Sequence, residues 1–237
     1  MNKSKVYKRQ LDLVKPSELK FPIYLVGAGG IGSWTALALA KLGCSNITVF
    51  DFDKVEEHNL PSQIYTADQL GQYKVFALRD AIENLTGTTI TAIPRGFIEY
   101  FNEARAIAED DKPDFPFGAE MVILAVDSMT ARNQIWTELL DKFDKQEYKF
   151  NCFIDGRMGG EVMRILTVNP HDKDSVEKYK KRLFSQEKAS KEPCTARSVV
   201  YNTFVCGGFI ASLVKKYAKR EPVKLDIIVD LTNSATV

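Results

Sequence analysis

The chain has 237 residues, of which 45% are hydrophobic and 27% are charged, a composition typical of soluble globular proteins. Its 32 lysine and arginine residues nearly balance its 31 aspartate and glutamate residues, so charge gives no reason to expect a nucleic acid or an anionic membrane as a partner. No apolar run reaches the roughly 18–20 residues that span a bilayer, and residues 1–10 lack the apolar stretch of a signal peptide, so we expect a cytoplasmic protein.

The first 150 residues alternate between short apolar runs, which predict buried strands, and longer segments with helical spacing. The predicted strands are Ile23–Val26, Ile47–Phe50, Thr88–Ile93 and Met121–Val126. The predicted helices are Ile31–Leu42, Lys74–Asn84, Asn102–Asp110 and a segment that Ser128 caps and that runs to Leu140. This alternation predicts an α/β fold with a Rossmann-like, doubly wound and largely parallel sheet.

The last third of the chain follows a different pattern. Cys152–Asp155 and Val162–Val168 are predicted strands with no helix between them, which indicates an antiparallel C-terminal extension of the sheet. A helix is predicted from Ser198 to Lys216, and a strand from Leu225 to Val229. Residues 171–193 are rich in charge and are predicted to be an exposed, mobile segment. Because no repeat or linker is visible, we expect one domain over residues 1–237.

A glycine-rich turn joins the first predicted strand to the first predicted helix. Its glycines, Gly27, Gly29, Gly30 and Gly32, match G-x-G-x-x-G in the strand–turn–helix context that gives this motif meaning. Glycines let phosphate oxygens approach backbone N–H groups, and the helix N-terminus adds unpaired donors. Asp51 ends the next strand, where an acidic residue commonly binds ribose hydroxyls. The sequence therefore predicts a nucleotide-binding half over about residues 20–150, although a glycine turn that only packs a helix on a strand is the alternative.

Four further motifs distinguish ATP from NAD as the nucleotide. They are the segment from Asp51 to Gln63, Gly71-Gln72-Tyr73-Lys74, the pair Asp127-Ser128 with Ala131-Arg132-Asn133, and Tyr7-Lys8-Arg9-Gln10. In order and spacing, these motifs resemble those of the ThiF/MoeB/ubiquitin-activating superfamily, and the resemblance extends over roughly residues 7–216. Each of these residues has a simpler alternative when it is taken alone. Lys74 could be a solvated helix residue, Asp127 could be a helix cap, and Arg9 could be an exposed tail residue. The assignment therefore rests on the motifs taken together.

The resemblance implies an enzyme that uses ATP and Mg²⁺ to adenylate a carboxylate, usually the C-terminal Gly-Gly of a ubiquitin-like or sulfur-carrier protein. It implies that Lys74 contacts the phosphates and that Asp127 holds the magnesium ion. Arg9 would be inserted into the site of a second subunit, which implies a homodimer. Arg132 is interpreted as structural rather than catalytic. The remaining nucleotide contacts that the resemblance implies are Asp51, Asp53, Asn59 and Gln63.

The chain departs from the family pattern at three points. Ser62 falls where the family has a phosphate-binding arginine, which removes one fixed cation from the predicted site. Ser128 replaces the usual asparagine after Asp127. The paired C-x-x-C motifs of many members are missing from the sequence, so no zinc is expected.

Cys194 precedes the last predicted helix at a place that resembles the cysteine with which family members form a thioester or carry out sulfur chemistry. A thiol near a helix N-terminus and an arginine, here Arg197, should have a lowered pKa. The alternative is an inert cysteine. Cys44, Cys152 and Cys206 lie in apolar surroundings and are predicted to be core residues.

Three other functions remain open at the level of sequence. A related enzyme could activate a small or RNA-linked carboxylate. An NAD-dependent oxidoreductase would use the glycine turn and Asp51, but it would leave Asn59, Gln63, Lys74 and Asp127 unexplained. A catalytically weak pseudo-enzyme that acts as a scaffold would be consistent with Ser62.

Overall fold

The computed structural model describes residues 6–103, 119–144, 148–184, 199–233 and 235–236. Its centre is one eight-stranded sheet with the strand order β3-β2-β1-β4-β5-β6-β7-β8. The first five strands in this order are parallel, and the last three continue antiparallel. The strands are β1 Ile23–Val26, β2 Ile47–Phe50, β3 Thr91–Ile93, β4 Met121–Leu124, β5 Cys152–Gly159, β6 Val162–Val168, β7 Asp226–Asp230 and β8 Ala235–Thr236.

Helices cover both faces of this sheet, as the alternating pattern predicts. They are α1 Gly30–Leu42, α2 Lys74–Thr86, α3 over residues 97–103, α4 Met129–Asp144, α5 Lys173–Lys180 and α6 Val200–Ala218. One apolar core joins α1, α2 and α6 to one face of the sheet, and a second, aromatic-rich core joins α3, α4 and α5 to the other. None of the described helices combines the length and the apolar character that a membrane-spanning segment requires.

The predicted architecture is confirmed, including the antiparallel extension that β5 and β6 begin. Local chemistry explains where α1 ends and where α4 begins. Gly43 stops α1 in the left-handed conformation, with φ +107°. Ser128 caps α4, since its Oγ accepts from the N–H of Ala131 at 3.3 Å.

Several predicted boundaries are wrong. Strand β3 begins at Thr91 rather than Thr88, and the helix expected at residues 102–110 already begins at residue 97, while residues 104–110 lie outside the described part of the chain. Strand β8 was not anticipated.

The prediction of an exposed, mobile segment over residues 171–193 is wrong for residues 173–180, which form α5. Its charged residues face solvent, but Val176 and Tyr179 are buried in the aromatic core, where Tyr179 packs edge-to-face on Trp136 and Phe153. These two apolar side chains, three positions apart, lie on one face of the helix and contribute to its packing on the sheet. Residues 185–193 lie outside the described residues.

A buried ion cluster ties α4, β5 and α5 together. Asp155 is fully buried and accepts from Arg132 Nε at 2.9 Å, Arg157 Nε at 2.8 Å and the Tyr179 hydroxyl at 2.9 Å. Burial alone would raise the pKa of Asp155, but the attraction of the two guanidinium groups outweighs it and the pKa is lowered. Arg132 also donates to the Gly156 carbonyl oxygen, in agreement with its interpretation as a structural residue.

The first turn of α1 lies directly against the end of β1. A Cβ atom at Gly32 would stand 1.9 Å from the carbonyl oxygen of Gly27, which no packed side chain can tolerate. Glycine at position 32 therefore sets how closely the helix approaches the turn.

We predict that Gly32→Ala lowers the free energy of unfolding by about 3 kcal/mol, because the new methyl group forces the helix away from the turn. Gly29→Ala is the matched control, since no atom lies within 4 Å of its Cβ position, and it should cost less than about 1 kcal/mol. Urea unfolding of both variants measures the difference. Equal losses would contradict a steric role for Gly32.

Candidate functional site

The glycine turn and Asp127 lie next to each other at the point where the strand order of the sheet reverses, between β1 and β4. Strands β1 and β4 are neighbours whose following helices lie on opposite faces, and ligands bind such folds at the carboxyl ends of these strands. Gly27 follows β1 with φ +101°, and a Cβ there would lie 2.6 Å from the carbonyl oxygen of Ala125. The glycine turn therefore abuts the loop after β4, two residues before Asp127.

The N-terminus of α1 is open to an anion. Its N-cap is Gly29, which supplies no side-chain acceptor, and no side-chain capping bond is made there. The first-turn N–H groups and the helix dipole thus face the carboxyl edge of the sheet without a neutralising group from the cap. This geometry suits a phosphate group.

Asp51 connects the glycine turn to the chain after β2. Its Oδ2 accepts from the N–H of Ala28 at 2.6 Å, and its Oδ1 accepts from the N–H of Asp53 at 2.8 Å. Burial raises the pKa of Asp51, and these two hydrogen bonds offset part of that effect. In this structure Asp51 organises the loops around the site through two backbone contacts.

Lys74 is a cation in direct contact with the loop after β2. It is the first residue of α2 and is only 8% exposed. Its Nζ lies 2.9 Å from Oδ2 of Asp53, and its backbone N–H donates to the Asp53 carbonyl oxygen at 2.9 Å. Because Asp53 is half-exposed, the pair places a covered ammonium group beside an accessible carboxylate.

Asp127 lies at the carboxyl end of β4 and is exposed. No group of three or more His, Cys, Asp or Glu side chains is arranged to hold a metal within the described ranges. Magnesium bound with a nucleotide usually takes one or two carboxylates and completes its shell with phosphates and water. A single exposed carboxylate beside an open phosphate site is consistent with that requirement.

Asn59 and Gln63 lie on the loop that precedes α2. The Oδ1 of buried Asn59 accepts from the N–H of Glu56 at 2.9 Å, so this end of its side chain shapes the loop. The Oε1 of Gln63 is buried and has no hydrogen-bond partner among the described residues. A buried acceptor without a donor costs free energy, so this oxygen is available to a water molecule or to a ligand donor.

Tyr65 is a residue of this region that the sequence interpretation missed. It is buried, and its hydroxyl donates to the carbonyl oxygen of Ala28, inside the glycine turn, at 2.6 Å. Burial, with smaller contributions from Asp51 and Asp53, raises its pKa well above the usual value, so the hydroxyl keeps its proton. The sequence contained one signal for this role. A tyrosine, whose ring can be buried while its hydroxyl forms a hydrogen bond, stands two positions after Gln63.

Ser62, where the resemblance described above leads one to expect an arginine, is buried. Its carbonyl oxygen accepts from Trp34 Nε1 at 2.9 Å and from Thr203 Oγ1 at 3.2 Å. Trp34 also packs against Phe204, with ring centroids 4.0 Å apart. The backbone carbonyl at position 62 thus joins α1 to α6.

Arg9 lies far from the glycine turn of its own chain. The segment that carries it is held at the other end of α1, where Tyr7 donates to the Ala40 carbonyl oxygen and Gln10 to that of Leu42. Ten residues of helix separate Ala40 from Gly30, about 15 Å, which is more than an arginine side chain spans.

The four cysteines divide into three core residues and one residue that is not described. Cys44, Cys152 and Cys206 are buried, and burial raises the pKa of each thiol to about 12. Their prediction as core residues is confirmed. Cys194 lies outside the described residues, so the structure does not place it.

Comparisons with known proteins identify relatives of this chain. The model of the family described as "ThiF family" matches residues 7–230. The chain is 28% identical over 152 residues to ubiquitin-like modifier-activating enzyme 5 of Gallus gallus, an alignment that covers 55% of this chain and 36% of the relative. It is 31% identical over 114 residues to molybdopterin-synthase adenylyltransferase of Escherichia coli K12, covering 48% of this chain and 42% of the relative.

Two solved structures share the fold. E. coli MccB, crystallised with AMPCPP and SeMet MccA, matches with a TM-score of 0.72 at 18% identity and covers 100% of this chain and 71% of that one. SeMet PaaA matches with a TM-score of 0.72 at 20% identity and covers 99% of this chain and 81% of that one. The curated relatives are longer, since the chain spans 36% and 42% of their lengths.

We predict that Tyr65→Phe lowers the free energy of unfolding by about 1–2 kcal/mol, because the buried carbonyl of Ala28 loses its donor. Amide hydrogens of the glycine turn should also exchange faster. Tyr73→Phe is the matched control, since Tyr73 is exposed and its hydroxyl makes no hydrogen bond with a described residue. Urea unfolding and hydrogen exchange measure both effects, and identical behaviour of the two variants would show that the Tyr65 hydroxyl does not support the turn.

Proposed function

The chain belongs to the ThiF family, and we propose that it catalyses the ATP-dependent adenylation of a carboxylate. The proposed substrate is the C-terminal glycine of a ubiquitin-like or sulfur-carrier protein. The observation that carries the proposal is the covered ammonium of Lys74, held by Asp53 beside the open N-terminus of α1. A cation at this place can balance the negative charge that builds up on the phosphates during adenylation.

The residues at the carboxyl edge of the sheet would have separate roles in such a reaction. A carboxylate oxygen forms a bond to the α-phosphorus while the bond from that phosphorus to pyrophosphate breaks. Because the nucleophile is already ionised, no general base is needed, and stabilising the charge on the phosphates is the main task. The glycine turn would receive phosphate oxygens and Lys74 would balance their charge. Asp127 would hold Mg²⁺, which supplies further positive charge when bound.

The names of the relatives support this assignment. One curated relative is an adenylyltransferase and another activates a ubiquitin-like modifier, while MccB was crystallised with an ATP analogue and MccA. A catalytically weak scaffold is the second candidate, because Ser62 is buried against Trp34 and supplies no cation. The enzyme proposal therefore requires a second cation from elsewhere.

Arg9 is the proposed source of that cation, and it would act on a second subunit. The segment that carries it is fixed about 15 Å along α1 from the turn of its own chain. Within the described residues Arg9 forms no ion pair. The active form is therefore proposed to be a homodimer in which each Arg9 completes the site of the partner.

We predict magnesium-dependent exchange of pyrophosphate into ATP when the purified chain is mixed with a panel of small proteins that end in Gly-Gly. Asp127→Asn should reduce the exchange rate by about 100-fold or more, because the metal loses its protein ligand. Asp68→Asn is the matched control, since it removes an exposed carboxylate from the loop before α2 and should leave the rate unchanged.

The outcomes separate the candidate functions. Exchange that depends on one carrier and on Asp127 supports adenylation and identifies the substrate. Magnesium-dependent ATP binding without exchange for any carrier favours the scaffold. Tighter binding of NAD than of ATP would refute the proposal.

A transfer to Cys194 would follow adenylation. In that step the thiolate attacks the acyl carbon of the adenylate and AMP leaves. We predict that Cys194→Ala keeps pyrophosphate exchange within about twofold of the unmodified chain, since a step after adenylation does not limit exchange. The variant should form no carrier adduct that a thiol reductant cleaves, as gel electrophoresis and mass spectrometry can measure. Loss of exchange in Cys194→Ala would contradict the order of the two steps.

A further inference from the structure

The position of the Asp127 carboxylate depends on the backbone that carries it. Asp127 is exposed, and its side chain has no hydrogen-bond or ion-pair partner among the residues that the structure describes. It lies between the end of β4 at Leu124 and the start of α4 at Met129. A site is placed precisely when the rigid elements around it are themselves held. The contacts that hold the first turn of α4 therefore also set where Asp127 stands.

The first turn of α4 is attached to the sheet mainly by Arg132. The cap bond from the N–H of Ala131 to Ser128 Oγ is 3.3 Å, longer than a typical N–H···O bond. Arg132 is only 4% exposed, and its Nε donates to Asp155 Oδ1 at 2.9 Å while its Nη2 donates to the carbonyl oxygen of Gly156 at 2.9 Å. Two bonds from one planar group fix its orientation as well as its position. Since both acceptors belong to β5, these bonds tie α4 to that strand.

Asp155 is suited to be the fixed end of this link. It is fully buried and lies opposite Leu124, the last residue of β4, in the ladder between β4 and β5. Its other oxygen, Oδ2, accepts from Arg157 Nε at 2.8 Å and from the Tyr179 hydroxyl at 2.9 Å. Oδ1 thus binds α4, while Oδ2 binds β5 itself and α5. A carboxylate with donors on both oxygens is held in one orientation.

We propose that Asp155 is a positioning residue of the candidate site: through Arg132 it fixes the first turn of α4 and thereby holds the carboxylate of Asp127 where Mg²⁺ would bind. Groups that orient a metal ligand without touching the metal typically change metal affinity by roughly 10–100-fold when they are removed. The inference deepens the proposed function and rests on it, because the position of Asp127 matters in this way only if Asp127 holds the metal.

Nucleotide binding with and without metal tests this role without any catalytic step. Isothermal titration calorimetry of the full chain gives the dissociation constant of AMPCPP, an ATP analogue, in Mg²⁺ and in EDTA, and the ratio of the two constants is the metal enhancement. Arg132→Lys should reduce this enhancement by about tenfold, because lysine keeps the charge but not the two-pronged contact. The affinity in EDTA should stay within about twofold, since the phosphate contacts proposed for the glycine turn and Lys74 do not involve Arg132. A merely structural role would change both affinities or neither.

Asp155→Asn should reduce the metal enhancement in the same direction as Arg132→Lys. This variant leaves two buried guanidinium groups without their counter-charge, a change that can prevent folding. Circular dichroism shows whether it is folded, and if it is not, Arg132→Lys alone decides the question.

Two variants serve as matched controls. Arg164→Lys makes the same substitution at a guanidinium that binds Asp226 of β7 through Nε and Nη2, rather than a residue that is linked to α4. Tyr179→Phe removes a donor from Oδ2 of Asp155 but leaves both bonds of Arg132 in place. Each should keep the metal enhancement within about twofold of that of the unmodified chain. Urea unfolding measures how much stability each variant loses.

The outcomes separate this inference from the proposed function. A metal enhancement that Arg132→Lys leaves unchanged overturns the inference, as does an equal loss in Tyr179→Phe, which would trace the effect to a general weakening of the cluster. If Asp127→Asn removes the enhancement while Arg132→Lys does not, the metal role of Asp127 stands and the positioning role of Asp155 fails. If Mg²⁺ gives no enhancement, or if Asp127→Asn preserves it, both roles are refuted.

Discussion

One partly buried carboxylate organises the loops of the candidate site. Asp51 accepts from the N–H of Ala28 in the glycine turn and from that of Asp53, two residues further along its own loop. Asp53 in turn holds the ammonium group of Lys74 at the start of α2. The glycine turn, the loop after β2 and the start of α2 are thereby linked through two carboxylates of one loop. Each of the links to Ala28, Asp53 and Lys74 is a charge-assisted hydrogen bond, which is stronger than a bond between neutral groups.

The parts of the fold that the sequence predicts are those in which local chemistry and tertiary packing agree. The apolar runs of β1, β2 and β4 are buried, and Gly43 and Ser128 end and start helices as their residue types indicate. The gathering of Gly27, Asp51, Lys74 and Asp127 at one edge was also predictable, because parallel strands bring their carboxyl ends together. The roles that the family resemblance implies for these four residues remain proposals, which their placement at one edge supports.

The parts that escaped prediction depend on contacts between distant residues. Helix α5 carries only a few buried side chains among many charges, so its periodicity is weak, and Tyr179 is buried because Trp136 and Phe153 lie opposite it. The support that Tyr65 gives to Ala28 crosses 37 positions. At Ser62, the sequence shows the loss of a cation but not that the position packs against Trp34 and Thr203. Neither composition nor spacing contains such information.

The burial of three cysteines has a practical consequence for chemistry on the intact protein. Cys44, Cys152 and Cys206 are enclosed in the core, and their thiols remain protonated at neutral pH because burial raises each pKa to about 12. The thiolate is the form that attacks an alkylating reagent, so we expect these three positions to react slowly with maleimide or iodoacetamide while the fold persists. A thiol label that the native chain takes up is therefore expected at Cys194, the one cysteine outside this group of three.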